Sequence, residues 1–161
     1  MTEIINKTSQ PFKIWIDNDA CPKRVREIIF KASEKWNIEV KLVANSYIKI
    51  PESKLLEFIS VSDKFNAADD YIAESVFLGD LVITSDVPLA DRVVDSGAIA
   101  LNPKGKVYDK NNIKEELLLR NMRQELREMG QITGGPSTMS GNDINRFASS
   151  FDKLIQTKIL K

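Results

Sequence analysis

Apolar residues recur along the chain in two alternating periods. Short apolar or alternating runs stand at Lys13 to Asp17, Glu39 to Ala44, Phe58 to Val61, Leu81 to Thr84 and Ala98 to Leu101, and each predicts a strand. Between them, Val25, Ile28, Ile29, Ala32 and Trp36 share one helical face behind Pro22, which suits the first position of a helix. Ala68, Ile72 and Val76, with Phe77, mark a helix over Ala67 to Leu78 that Gly79 stops. Pro88 to Ser96 reads as the next helix, ended by Gly97, and an Asn-Pro-Lys-Gly turn follows the fifth strand. Strands alternating with helices predict an α/β fold with a mainly parallel sheet of about five strands and helices on both faces.

The last third changes character. A helix from Ile113 to Met129, a loop from Gly130 to Gly141 rich in turn formers and hydroxyls, and a helix to about Ile159 replace the alternation. Residues 113–161 therefore read as a C-terminal helical extension packed on one domain that spans 1–161, a length that suits a single core. There is no internal repeat or coiled-coil heptad.

Charge and composition narrow the chemistry. Lys plus Arg and Asp plus Glu are 23 each, so any nucleic-acid partner must be held by a local patch rather than by bulk attraction. No histidine is present, which removes Ser-His and Cys-His nucleophiles, and the single Cys21 removes an internal disulfide and a structural zinc site. Carboxylate, lysine, hydroxyl and hard-metal chemistry remain. No apolar stretch approaches the ~20 residues that cross a bilayer, and Met1 to Pro11 lacks the pattern of a signal peptide. The expectation is a cytoplasmic protein with no membrane partner.

Ligands of a parallel α/β sheet bind outside the carboxyl ends of its strands. Asp17, Asp19, Asn45 and Asp86 fall at that edge, and Asp69 opens a helix that can come up beside them. Two like charges ~4 Å apart repel by roughly 4 kcal/mol at an effective dielectric of 20, so convergent carboxylates require a cation or a shared proton. An oxygen-only set suits Mg²⁺ or Mn²⁺, which would polarise a phosphate and activate a water. Aspartates at these places also serve as caps or turn residues. Asp70 reads as solvent-facing, Asp80 as a turn residue, and Asp91 as a surface charge or a supporting group.

Arg120 and Arg127, two helical turns apart, form with Arg123 a basic stripe opposite Leu118, Met122, Leu126 and Met129. The stripe suits phosphates, or equally a solvated face in which Glu116 pairs with Arg120. Cys21 before a helix start is open to a lowered thiol pKa, with a buried role as the alternative. Trp15 and Trp36 fit core positions.

Five segments carry a resemblance: Asp-Asn-Asp-Ala-Cys-Pro (17–22), Ala-Asp-Asp-Tyr-Ile (68–72), Gly-Asp-Leu-Val-Ile-Thr-Ser-Asp-Val-Pro-Leu-Ala (79–90), Ala-Leu-Asn-Pro-Lys-Gly (100–105) and Thr-Gly-Gly-Pro (133–136). Together they resemble the YaiI/YqxD family of bacterial proteins, which is grouped with the PIN-like nuclease fold. The resemblance implies a PIN-like three-layer sandwich and a Mg- or Mn-dependent nuclease that hydrolyses phosphodiester bonds of RNA or single-stranded nucleic acid. Asp17, Asp69 and Asp86 match three acidic positions of PIN nucleases, while the acid usual on an earlier helix has no counterpart and Asp19 takes its place. Lys104, Arg120 and Arg127 match family positions, and with Asn45, Thr84, Thr133, Gly134 and Gly135 they are the expected substrate contacts. Two other readings stand beside this one. In one, Asp17-Asn-Asp19 is the Asp-x-Asp of a haloacid-dehalogenase-like phosphatase, with Asp17 as nucleophile. In the other, the fold is a non-catalytic nucleic-acid-binding or regulatory module.

Overall fold

Ile14, Trp15 and Ile16 are each at most 5% exposed, because the first strand is covered on both faces. In the computed structural model, which describes residues 9–134 and 139–159, strands β1 (Lys13–Asp17), β2 (Glu39–Ala44), β3 (Leu56–Ser60), β4 (Leu81–Ile83), β5 (Ile99–Leu101) and β6 (Val107–Tyr108) form one sheet in the order β3-β2-β1-β4-β5-β6. The first five are parallel and β6 is antiparallel to β5. The sequence pattern anticipates all but β6, a two-residue strand too short to carry a period. The third strand begins two residues earlier than the pattern suggests.

Helices α1 (Lys23–Trp36), α2 (Ala67–Ser75), α3 (Val87–Asp95), α4 (Ile113–Glu128) and α5 (Gly141–Ile159) complete the described elements. Side chains alternate across a strand, so Ile14, Ile16, Leu42 and Ile83 meet α1 and α5 through Val25, Ile29, Phe147 and Phe151 on one face. On the other, Trp15, Val43, Val82 and Ala100 meet Ile72, Leu89, Val93 and Ile113 of α2, α3 and α4. The result is an α/β/α sandwich of PIN-like form. Burying each such Leu, Ile or Phe is worth ~1.5–3 kcal/mol, and α5 with its stacked Phe147 and Phe151 rings belongs to that core rather than to its periphery.

Pro22 stands at the cap of α1 with an extended ψ of 151°, and the helix proper begins at Lys23. Asn37 ends α1 in the left-handed conformation, φ 59°, with its amide donating to the Ser33 carbonyl, a role that asparagine tolerates. Helix α2 ends at Ser75, short of the Leu78 expected from its apolar spacing. The cause is Asp80. This carboxylate is 3% exposed and accepts from the amides of Phe77 at 2.9 Å and Lys13 at 2.9 Å and from the Trp15 indole at 3.0 Å. Drawing the Phe77 amide to Asp80 pulls the chain out of the helix and leaves Phe77 and Leu78 exposed. Asp80 is thus a buried anchor at the amino end of the sheet, not merely a turn residue.

The turn before β6 presses against α5. Gly105 has φ 100°, and a Cβ there would lie 2.7 Å from the backbone carbonyl carbon of Arg146. Any side chain at this position would force the two apart. Helix α4 is packed in an unusual sense, because Ile113 enters the core while Leu118, Met122, Leu126 and Met129 stay 39–68% exposed. No helix among the described residues is long and apolar enough to cross a membrane.

Candidate functional site

β1 and β4 are neighbours in the middle of the sheet, and their carboxyl ends deliver acids to the same place. Asp17 ends β1 and is 4% exposed. Its carboxylate accepts from the Thr84 hydroxyl at 2.8 Å and, more loosely, from the Asp19 amide at 3.4 Å. A 3₁₀ turn over Asn18–Ala20 then brings Asp19 to the surface. Arg26 of α1 fixes that turn by donating to Asn18 Oδ1 at 3.1 Å and to the Cys21 carbonyl at 2.7 Å.

Asp86 caps α3, its carboxylate accepting from the Leu89 amide at 2.9 Å, as an aspartate at such a position should. Its own amide donates to Thr84 Oγ1 at 3.0 Å. Asp69 in the first turn of α2 reaches across to it. Burial first, and then the charges of Asp86 and Asp17, push the Asp69 carboxyl up to about 6. Burial likewise raises Asp17, opposed by the Thr84 hydrogen bond and reinforced by the charges of Asp19 and Asp86. All four carboxylates line a single cleft of about 650 Å³.

The expected substrate contacts separate into three groups. Asn45 at the end of β2 and Arg120 of α4 line the same cleft as the acids, and Arg127 lines a neighbouring cavity of about 340 Å³ together with Arg123, Asn102 and Tyr108. The two cavities share Ser85, Asp86, Pro88 and Arg120. Thr84, at 1% exposure, lies beneath the cleft and touches acids rather than solvent. Lys104 lines neither cavity. Its amide donates to Asn102 Oδ1 at 2.7 Å in the turn, and its charge helps hold Asp143 below the usual carboxylate range, after the larger effect of the Ser140 amide. Thr133 and Gly134 are exposed in the loop after α4, where the Gly134 carbonyl accepts from Arg127 Nε at 3.2 Å. Gly135 lies outside the described residues.

The remaining aspartates and Cys21 have other partners. Asp70 pairs with Arg92 at 2.8 Å and Asp91 with Lys114 at 2.7 Å. Burial pushes the Cys21 thiol up to about 12 against the opposing charge of Arg26, so it is protonated and unreactive. Sequence reasoning passed over the loop Ser62–Asn66 and Arg92, which also line the cleft. The signal was present, since that loop leaves the carboxyl end of β3 and therefore opens on the ligand-binding edge.

Among the described residues, no three acidic side chains gather closely enough to hold an ion on protein oxygens alone. Mg²⁺ does not demand that. It keeps several waters and is commonly held by one or two carboxylates together with substrate phosphate. Asp69 and Asp86, which line one cleft with Asp17 and Asp19, fit a hydrated hard cation of that kind.

Fold and site together define an α/β/α protein with an acidic cleft at the carboxyl edge of a parallel sheet. A family model described as "Uncharacterized BCR, YaiI/YqxD family" matches residues 15–157, and the chain belongs to that family. It is 48% identical over 149 residues to a UPF0178 protein of Geobacter metallireducens, covering 92% of this chain and 96% of the relative. A UPF0178 protein of Colwellia psychrerythraea is 46% identical over 143 residues, covering 89% and 95%. These names state no activity. No solved structure matches the chain significantly.

Proposed function

We propose that the chain is a Mg²⁺- or Mn²⁺-dependent nuclease that hydrolyses phosphodiester bonds of RNA or single-stranded nucleic acid. The observation that carries this reading is the convergence of Asp17, Asp19, Asp69 and Asp86 on one open cleft at the carboxyl edge of the sheet. Such an arrangement is unfavourable for folding alone, since like charges raise one another's pKa. Asp69 and Asp86 would hold the hydrated cation, with Asp17 and Asp19 lining the same cleft beside it. When bound, it supplies charge neutralisation at the phosphate and a water of lowered pKa.

The chain's own groups perform the rest. Thr84 keeps Asp17 and the start of α3 in fixed relation. Arg26 holds the turn that presents Asp19. Arg120 brings positive charge to the cleft, and Arg123 and Arg127 continue it into the neighbouring cavity, so a phosphate backbone has a track leading from the acids. A phosphatase using Asp17 as nucleophile is less well supported. Lys104, the lysine that reading requires, does not line the cleft.

The test is incubation of end-labelled single-stranded RNA with the protein, in Mn²⁺ and in parallel with a chelator. Cleavage only in Mn²⁺ is expected. Equal product in both, or none in either, would refute the reading.

A further inference from the structure

Phe65 is 93% exposed, the most exposed of the large apolar side chains among the described residues, and it lines the acidic cleft. Its setting is a built turn rather than a loose loop. The Ala67 amide donates to the Lys64 carbonyl at 3.1 Å, closing a four-residue turn with Phe65 and Asn66 at its centre. Asn66 has φ 66° and ψ 8°, the values a type II turn requires at its third position, where asparagine or glycine is favoured. The Asn66 carbonyl then accepts from the Asp70 amide at 2.8 Å, which joins the turn to α2 beside Asp69. On the other side, the Val61 amide donates to the Ala44 carbonyl at 3.0 Å and ties the loop to β2. An aromatic ring is thus held out from a fixed backbone four residues before an acid of the site.

The electrostatics of the cleft say what the ring is for. Asp17, Asp19, Asp63, Asp69 and Asp86 face Lys64, Arg92 and Arg120 there, so positive charge alone does not seat a polyanion. The sheet order puts the loop after β3 on one side of the β1–β4 pair and α4, which follows β6, on the other. A strand crossing the acids therefore meets an aromatic ring at one end and arginines at the other. Stacking on an aromatic ring suits any unpaired base, because every base has a π-face. A base still paired within a duplex presents no free face to the ring.

We infer that Phe65 is a base-stacking platform that seats one unpaired nucleobase beside the acidic cleft and so selects single-stranded over duplex nucleic acid. The inference deepens the proposed function and rests on the cleft being the nucleic-acid site, but it does not require turnover. In Ca²⁺, in place of the metals proposed to support cleavage, binding of octauridylate is measured for the wild type, Phe65→Ala, Phe65→Tyr and Phe65→Trp, with an octameric ribose-phosphate lacking bases and an RNA duplex as comparison probes. Loss of a stacked base corresponds to about 5- to 150-fold in affinity. Phe65→Ala is expected to weaken octauridylate binding about tenfold or more, and Phe65→Tyr to stay within about twofold. The emission that Phe65→Trp adds is expected to be quenched by octauridylate and not by the base-free octamer. At 93% exposure the ring contributes little to the core, so the urea midpoint of Phe65→Ala should match wild type and report that the fold is intact.

Equal octauridylate binding by Phe65→Ala and wild type, or equal binding of the base-free octamer and octauridylate by wild type, overturns the platform. Unchanged octauridylate binding by Phe65→Ala together with Mn²⁺-dependent cleavage overturns the platform and leaves the nuclease reading standing. Base-dependent binding through Phe65 with no cleavage in any metal overturns the nuclease reading and leaves the platform standing.

Discussion

The Thr84 hydroxyl donates to the Asp17 carboxylate at 2.8 Å while accepting from the Asp86 amide at 3.0 Å. One buried side chain therefore ties the ends of two adjacent strands where each delivers an acid. Thr84→Val is nearly the same shape and removes both bonds, leaving a buried carboxylate and an amide unsatisfied. Each such loss costs about 1–3 kcal/mol, so urea unfolding should show destabilisation of at least that order, with Thr84→Ser close to wild type. An unchanged midpoint for Thr84→Val would mean that the linkage does not hold the site.

Asp80 supports the same sheet from its other edge. It accepts from the Trp15 indole and from the Lys13 and Phe77 amides. Asp80→Asn replaces one acceptor by a donor, and hydrogen bonds to charged groups are worth about 1.5–3 kcal/mol. The variant should be destabilised by about 2 kcal/mol and should change the Trp15 emission. Its divalent-cation affinity in the folded state should equal wild type. A loss of that affinity would contradict the separation of the two edges.

The pH dependence follows from Asp69. Its folded pKa, about 6, lies above the ordinary aspartate value of 3.8 because of burial and the neighbouring acids. The folded state holds the extra proton between those values, so this group's contribution to stability is complete below about pH 4 and is lost as pH rises through 6. A cation that binds the ionised acids reverses the loss. Mg²⁺ should raise Tm more at pH 7.5 than at pH 5, and Asp69→Asn should reduce the difference. An equal rise at both pH values would contradict the coupling.

Arg120 lines both connected cavities and Arg127 the second of them. If both contact phosphate, Arg120→Gln and Arg127→Gln should weaken RNA binding evenly across sequences and lower the salt slope by about 1 each. A Lys104→Gln control, outside both cavities, should leave the slope closer to wild type. Equal slopes for all three variants would remove the arginine track.

Much of the architecture was legible because its signals are local. The buried runs at β1, β2, β4 and β5, and the spaced apolar face of α1, each identify an element within a short window. The edge rule for parallel sheets then places Asp17, Asp19, Asn45 and Asp86 together from strand order alone. Misreadings arose where distant groups decide. Asp80 looks like a turn residue until its partners Lys13 and Trp15, 67 and 65 positions away, are brought beside it. α2 stops early for the same reason. The Leu118, Met122, Leu126 and Met129 face of α4 has the spacing of a buried stripe yet points outward, because the Arg120 and Arg127 side of that helix lines the cavities. Phe65 has no periodic partner at all, and only its turn and the cleft beside it give it meaning.

The central claim is that Asp69 and Asp86, with Asp17 and Asp19, gather a divalent cation. Calorimetric titration of Mn²⁺ into wild type, Asp69→Asn and Asp86→Asn at pH 7.5 measures it directly. The account predicts saturable binding to wild type that weakens at least about tenfold in each variant, since each removes one charged oxygen ligand from a hard-cation site. No saturable binding to wild type, or equal affinity in all three proteins, would contradict it.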